Sequence, residues 1–408
     1  MATTTNIPDS NLINTVTTDV TTTTTTTTQF TIPPAPSPNV RFASLRHWFM
    51  RSDRTFEASE ARLLSRLRFF ILGEKTVASE LKTTARVGLV DLDGDGIRKI
   101  NTLVIDQEFN ESTAVTQEKK NLVMCHGFGG GLGFFYRNYH RLSLVEGWRI
   151  YSIDWLGMGR STRNKFKIKG KTIEETVDEA ENFFVDSLEK WRQVQKIEKM
   201  TLLGHSLGGY FAAVYALKYP QHVERLIMVS PVGIPPSPYE DLKNIKDSVN
   251  RRALPLWLIK LWDANITPQS FMRWTGPFGP SLVSQYTSRR FANLDEQDRI
   301  DLHDYLYHVS AAPGSGEYAL SRILAPGAYA RKPLMYRLEG IKMPTTFIYG
   351  EEDWMDYREA IKVSTRMNVP IKIIQIPHSG HHLYIDNPEE FDKAVINEMV
   401  EVSDIDIN

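Results

Sequence analysis

The chain is expected to fold as an α/β protein with a mostly parallel central sheet, helices on both faces and an inserted helical cap. Three observations predict this. Six short apolar runs, Asn121 to Cys125, Trp148 to Ile153, Met200 to Leu203, Arg225 to Val229, Thr345 to Tyr349 and Lys372 to Ile376, have the length and composition of buried strands. Helical stretches separate them, notably Ile173 to Val194, Leu207 to Tyr219 and Glu389 to Val400, an alternation that favours crossovers and a parallel sheet. Between Pro231 and Gly340 the alternation stops in a stretch rich in Pro, Trp and Arg with no clear strand, which reads as an insertion.

Taken in order, residues 1–40 form a low-complexity tail, with eight consecutive threonines from Thr21 to Thr28 followed by Pro33-Pro34-Ala35-Pro36-Ser37-Pro38. Such a composition cannot bury enough apolar surface to offset the cost of ordering. Ala43 to Leu72 reads as one helix with apolar Phe49, Leu63, Leu64, Leu67, Phe70 and Ile71 among charges. Packing on the domain is its plain reading, and an amphipathic basic start around Trp48, Phe49 and Met50 offers a membrane-surface alternative. Two antiparallel strands, Arg86 to Val90 and Lys99 to Ile105, follow, joined by Asp91-Leu92-Asp93-Gly94-Asp95-Gly96. That hexapeptide imitates the start of a calcium loop, but the twelfth position is Thr102 where a bidentate glutamate is needed, so an Asp-Gly hairpin turn accounts for it better. The core is expected over residues 41–232 and 341–402, with the helical cap at 233–340.

Composition narrows the function. Lys plus Arg number 48 against 49 Asp plus Glu, so no global field favours nucleic acid. The single Cys125 cannot form an intrachain disulfide and fits a reducing compartment as a buried small hydrophobe. No run approaches the roughly 20 apolar residues of a membrane span, and the start of the chain has neither a secretory nor a transit pattern. A cytoplasmic protein, soluble or peripherally attached to a membrane, is expected, with no metal and no cofactor.

The chemistry centres on Gly204-His205-Ser206-Leu207-Gly208-Gly209, a G-x-S-x-G between a strand and a helix. In that setting the pattern is a nucleophile elbow, which presents a hydroxyl above the edge of a parallel sheet. A serine needs a base, usually oriented by a carboxylate. The strand Thr345 to Tyr349 leads into a loop with Glu351, Glu352, Asp353 and Asp356. The strand ending at Ile376 leads into a loop with His378, His381 and His382. Both loops fall at the same sheet edge as Ser206. A developing oxyanion needs backbone donors, expected from Leu207 at the helix N-terminus and Phe128 in the glycine-rich loop His126-Gly127-Phe128-Gly129-Gly130-Gly131. That loop lacks both the G-x-G-x-x-G spacing and a Gly-Lys-Ser/Thr, which argues against a nucleotide phosphate.

These segments, with Asp154-Trp155-Leu156-Gly157-Met158-Gly159-Arg160-Ser161 and Gly380-His381-His382-Leu383-Tyr384-Ile385-Asp386, resemble the α/β-hydrolase superfamily. More narrowly, residues 44–400 are similar to its lipid-acting α/β-hydrolase-domain 4 and 5 branch, with plant and fungal relatives. The resemblance implies Ser206 as nucleophile, Asp353 as orienting acid and His381 as base, with Asp356 then Glu352 as alternative acids and His382 as alternative base. His378 falls too early in its loop, and His205 reads as a structural neighbour of the elbow. It also implies an H-x-x-x-x-D acyltransferase motif, His381 to Asp386. Against this stands a local role for Asp386 at the start of the helix that Asn387-Pro388-Glu389-Glu390 announces.

A lipid chain needs an apolar groove, for which Leu254 to Trp262, Phe271, Trp274 and Phe278 are candidates. Arg251-Arg252 and Arg289-Arg290 are candidates for a phosphate headgroup. The expected activity is deacylation of glycerophospholipids or N-acylated phospholipids through an acyl-enzyme, with lysophosphatidic acid acyl transfer at the same site. A phospholipid or lysophospholipid is the expected substrate, and a membrane or lipid-droplet surface the expected partner. The rivals are a hydrolase or peptidase of non-lipid substrates and a non-catalytic lipase co-activator or scaffold. One member of the branch has asparagine in place of the serine and acts as such a co-activator, whereas Ser206 is intact here. A dehalogenase or epoxide hydrolase would need aspartate at the elbow tip.

Overall fold

Among the described residues nine strands, numbered along the chain, form one sheet in the order β1-β2-β3-β5-β4-β6-β7-β10-β11. The computed structural model describes residues 32–35, 41–71, 83–107, 118–237, 260–262 and 264–405. The strands are β1 Phe70–Ile71, β2 Thr83–Asp91, β3 Lys99–Gln107, β4 Lys120–Cys125, β5 Trp148–Ile153, β6 Met200–His205, β7 Val223–Val229, β10 Thr345–Gly350 and β11 Ile371–Ile376. A separate two-strand ribbon comprises β8 Leu324–Ala325 and β9 Tyr329–Ala330. From β5 through β4, β6, β7 and β10 to β11 every pairing is parallel, whereas β2-β3 and β3-β5 are antiparallel.

The six apolar runs predicted as strands are all strands of this sheet, and β6 is buried at every residue, as a central strand covered on both faces must be. Side chains alternate between the two faces. Val123, Cys125, Leu202 and Met228 join one core, which includes Phe184 and Leu188 of the helix Ile173–Val194 and Phe211 of the helix Leu207–Lys218. Leu122, Met124, Leu203 and Ile227 join the other, with Leu63, Tyr305, Phe391 and Val395.

The hairpin β2-β3 turns on Asp91. Its Oδ1 accepts the N–H groups of Asp93 at 3.2 Å and Gly94 at 3.0 Å, and its Oδ2 accepts that of Gly96 at 2.7 Å. The carboxylate is thus occupied by the backbone of its own turn, and Arg98 takes both oxygens of Asp93.

The single helix expected over Ala43 to Leu72 is instead two helices, Arg41–Phe49 and Asp53–Leu64, followed by the short strand β1. Ser52 makes the break. Its Oγ accepts the Thr55 N–H at 3.2 Å while Thr55 Oγ1 accepts the Ser52 N–H at 2.9 Å, a reciprocal cap that starts a new helix.

The stretch between β7 and β10 holds the helices Pro268–Trp274, Gly279–Arg290 and Glu296–Ala311. It also contains the ribbon β8-β9, which its composition did not announce. The helix Asp53–Leu64 packs against Glu296–Ala311, with Arg62 paired to Asp301 and Asp304. Most of the tail expected at 1–40, together with Arg251, Arg252 and the stretch from Leu254 to Ile259, lies outside the described residues.

Candidate active site

Ser206 sits between β6 and the helix Leu207–Lys218 with φ 55° and ψ −116°. A left-handed φ is costly for a residue with a Cβ, and the surroundings must hold it. The Ser206 N–H donates to Val229 O at 2.8 Å, tying the turn to the end of β7. Glycines make the turn sterically feasible. A Cβ on Gly204 would lie 2.3 Å from the Gly208 carbonyl oxygen, and one on Gly208 would lie 2.4 Å from that of His126.

His381 and Asp353 arrive on loops after β11 and β10, the two strands that continue the sheet beyond β7. His381 Nε2 lies 3.0 Å from Ser206 Oγ, and His381 Nδ1 lies 3.0 Å from Asp353 Oδ1. A carboxylate accepts only, so Nδ1 carries the proton and Nε2 accepts from the serine hydroxyl. The Asp353 side chain is 1% exposed. Burial of a carboxylate at this depth demands partners, and it has three. Besides His381, the Met355 N–H donates to Oδ1 at 3.0 Å and the Ser230 hydroxyl donates to Oδ2. Such a line can draw the proton from the serine hydroxyl and stabilise the imidazolium that results.

The other candidates are placed elsewhere. Asp356 is exposed and accepts from Arg358 Nε at 2.8 Å, and Glu352 is exposed at the edge of the cavity. His378 is exposed, with its backbone N–H donating to Glu351 Oε2. The His382 ring packs between Phe134 and Phe291, at 5.8 and 5.5 Å between centroids, and desolvation holds its pKa well below the usual imidazole value. His205 Nε2 meets the His381 carbonyl oxygen at 2.8 Å, so its Nε2–H donates and braces the backbone of the His381 loop. Burial keeps this ring neutral.

Leu207 is the first residue of its helix, and its N–H is one of the donors a helix leaves without an internal partner. Among the described residues the Phe128 N–H makes no backbone hydrogen bond. The preceding Gly127 lies so close to the elbow that a Cβ there would be 2.9 Å from Ser206 Cβ. Phe128 and Leu207 line the same cavity as Ser206.

Sequence reasoning missed how the glycine-rich loop is held. Trp155 N–H donates to His126 Nε2 at 3.2 Å, which places the ring proton on Nδ1 facing the Gly127 carbonyl at 2.7 Å. Trp155 Nε1–H donates to the His126 carbonyl at 3.0 Å. Asp154 Oδ1 accepts the Leu132 N–H at 2.7 Å, and its Oδ2 accepts Asn101 Nδ2–H at 2.8 Å and the Arg160 N–H at 2.7 Å. Ser230 was missed as well. The signal was its place directly after a predicted strand whose end abuts the elbow.

Ser206, His381, Phe128 and Leu207 open onto a cavity of about 920 Å³. Trp262, Met272, Val283, Leu306 and Leu320 give it apolar walls, and Arg289 and Arg290 stand on one side. The two arginines differ. Arg290 is bound through both Nη atoms to Asp386, whereas Arg289 is exposed and, among the described residues, forms no ion pair. Asp386 does not cap the following helix, where Asn387 Oδ1 meets the Glu390 N–H at 3.4 Å. Nor does it hydrogen-bond the His381 ring.

Among the described residues one cluster has ligand-type spacing for a metal, buried His47, Asp304 and His308. His47 Nε2 stands 2.7 Å from Asp304 Oδ1 and the Arg62 guanidinium holds Oδ2, an ion-pair network in which the carboxylate already faces a cation.

The comparisons agree with this architecture. A family model described as alpha/beta hydrolase fold matches residues 120–388. A 1-acylglycerol-3-phosphate O-acyltransferase of Arabidopsis thaliana is 38% identical over 371 residues, covering 86% of this chain and 82% of that protein. A human (lyso)-N-acylphosphatidylethanolamine lipase is 35% identical over 314 residues, covering 75% and 84%. Among solved structures, a Bacillus anthracis bromoperoxidase (TM-score 0.53, 17% identity, covering 76% of this chain and 98% of that one) and a membrane phospholipase A (TM-score 0.53, 18% identity, covering 84% and 92%) share the fold. The chain belongs to the α/β-hydrolase fold family, in its lipid-acting α/β-hydrolase-domain 4 and 5 branch.

Proposed function

We propose that the chain is a serine hydrolase that deacylates glycerophospholipids or N-acylated phospholipids. One observation carries the reading: the line from Ser206 Oγ through His381 to buried Asp353, with both links at 3.0 Å, at the wall of an apolar cavity. His381 takes the hydroxyl proton as Ser206 attacks the ester or amide carbonyl. The N–H groups of Phe128 and Leu207 receive the oxyanion. His381 then returns the proton to the leaving group, and a second acceptor releases the acyl chain. The apolar walls suit an acyl chain, and Arg289 suits an anionic headgroup.

The acceptor separates two outcomes of one mechanism. Water gives hydrolysis, and the hydroxyl of a lysophosphatidic acid gives acyl transfer. The second is favoured by the name of the Arabidopsis relative. Attachment to a membrane or lipid-droplet surface belongs to the same proposal. Among the described residues no helix is long and apolar enough to cross a membrane. Phe49, Trp274 and Phe278 are 71%, 68% and 73% exposed, and Phe278 belongs to a turn that packs against the helix bearing Phe49.

The test is fatty-acid release from vesicles of phosphatidylethanolamine, N-acylphosphatidylethanolamine or lysophosphatidic acid by the purified chain. Release that disappears in Ser206→Ala is expected. Cleavage of soluble esters or peptides with phospholipids untouched would move the assignment to a non-lipid hydrolase, and release undiminished in Ser206→Ala would overturn the mechanism.

A further inference from the structure

We infer that Asp386 is a positioning residue that locks the helix Gly279–Arg290 to the loop carrying His381. One carboxylate serves both. Its Oδ1 and Oδ2 accept from Arg290 Nη1 at 3.0 Å and Nη2 at 2.8 Å, and Oδ2 also accepts the Gly380 N–H at 3.0 Å. Arg290 is the last residue of its helix, and Gly380 immediately precedes His381. The peptide leading into His381 is thereby fixed to an element lying 90 residues earlier in the chain.

The surroundings make this pair stronger than a surface ion pair. The Arg290 and Asp386 side chains are 26% and 18% exposed, and the guanidinium lies 5.2 Å from the centre of the Phe291 ring. Two parallel charge-assisted bonds fix orientation as well as distance. The opposite side of the loop is held too, since the His381 carbonyl accepts from His205. Asp386 and His205 thus fix the backbone before and after the His381 Cα, and the ring's own bonds to Asp353 and Ser206 set its direction.

The H-x-x-x-x-D spacing acquires a physical meaning that does not place Asp386 in the chemistry. Five residues after the histidine, the chain has turned through the short helix Leu383–Asp386 and returns its carboxylate to the peptide before that histidine. Hydrolysis and acyl transfer then depend on Asp386 alike.

The effect on rate rests on the serine-hydrolase reading, whereas the mechanical coupling does not, and the experiment reads the two separately. Hydrogen exchange on the full chain compares Arg290→Gln, Arg290→Lys and Asp386→Asn with the parent. Arg290→Gln and Asp386→Asn each raise uptake in both segments 279–291 and 377–386, and Arg290→Lys raises it less. With a short soluble ester, kcat falls roughly ten- to a hundredfold while KM stays within about twofold. The double variant is no slower than the slower single, and the ratio of transfer to hydrolysis is unchanged. Uptake confined to the segment bearing the substitution would overturn the coupling. Loss of transfer with hydrolysis intact in Asp386→Asn would overturn it in favour of a direct chemical role. A parent protein without Ser206-dependent turnover would remove the serine reading and leave exchange to decide the coupling.

Discussion

Ser230 donates its hydroxyl proton to Asp353 Oδ2, the carboxylate oxygen that His381 does not use. Ser230 stands at the end of β7 with φ 45°, and its N–H donates to Ile348 O of the neighbouring β10 at 2.8 Å. Two adjacent strands therefore present the donor and, after a short loop, the acceptor. Ser230→Ala leaves a buried carboxylate oxygen without its partner. Stability should fall by about 1–3 kcal/mol, and turnover by roughly tenfold. Denaturant unfolding and ester kinetics on the same preparation check both.

Asp353 and Asp356 lie three residues apart in one loop yet differ in environment. Asp353 is buried against His381, while Asp356 is exposed beside Arg358. Asp353→Asn should reduce kcat by about four orders of magnitude, as loss of the orienting carboxylate does in serine triads. Asp356→Asn should change it by no more than about twofold. Steady-state kinetics on a soluble ester would reassign the acid if the order were reversed.

How much of this was legible in the sequence follows from how local each signal is. The strands and the elbow were readable because fully buried parallel strands are continuous apolar runs, and Gly204 and Gly208 follow from a tight turn. The order of the serine, acid and base loops was readable as well. Spacing alone did not single out the acid, since four carboxylates share one loop. The family resemblance pointed to Asp353, and its burial and its bond to His381 separate it from the rest. Ser230 and the partners of Asp386 depend on which strand ends and helix ends meet across the fold, which spacing along the chain does not encode. The helix expected across Ala43 to Leu72 failed for a local reason. The Ser52-Asp53 start was present, but the apolar pattern continuing through it concealed the break.

Gly208 marks where β4 and the helix after the elbow touch. A Cβ there would stand 2.4 Å from the His126 carbonyl oxygen and 2.7 Å from that of Cys125, both backbone atoms. Gly208→Ala should cost about 1–3 kcal/mol or more and abolish turnover, because relief requires moving the loop that carries Phe128. Circular dichroism melting with activity at low temperature separates the two effects.

Asp392 should make stability depend on pH. It is fully buried in the helix Pro388–Ile405, accepts Asn138 Nδ2–H at 2.8 Å with Oδ1, and burial raises its pKa to about 8. The native state thus binds a proton that the unfolded chain gives up near pH 4. The contribution is fully present below that pH and is lost as pH rises toward about 8. Asp392→Asn should flatten the profile, raising the melting temperature by about 2 °C or more at pH 8.5 and hardly at pH 4. Equal shifts at both pH values would contradict this assignment.

The proposed mechanism makes Ser206 the nucleophile, activated by His381. Labelling the intact protein with a fluorophosphonate probe, followed by mass-spectrometric mapping of the modified peptide, tests it directly. One adduct is expected, on Ser206, formed at a rate that falls by orders of magnitude in His381→Ala. An adduct on any other residue, or labelling of Ser206 at the parent rate without His381, would contradict it.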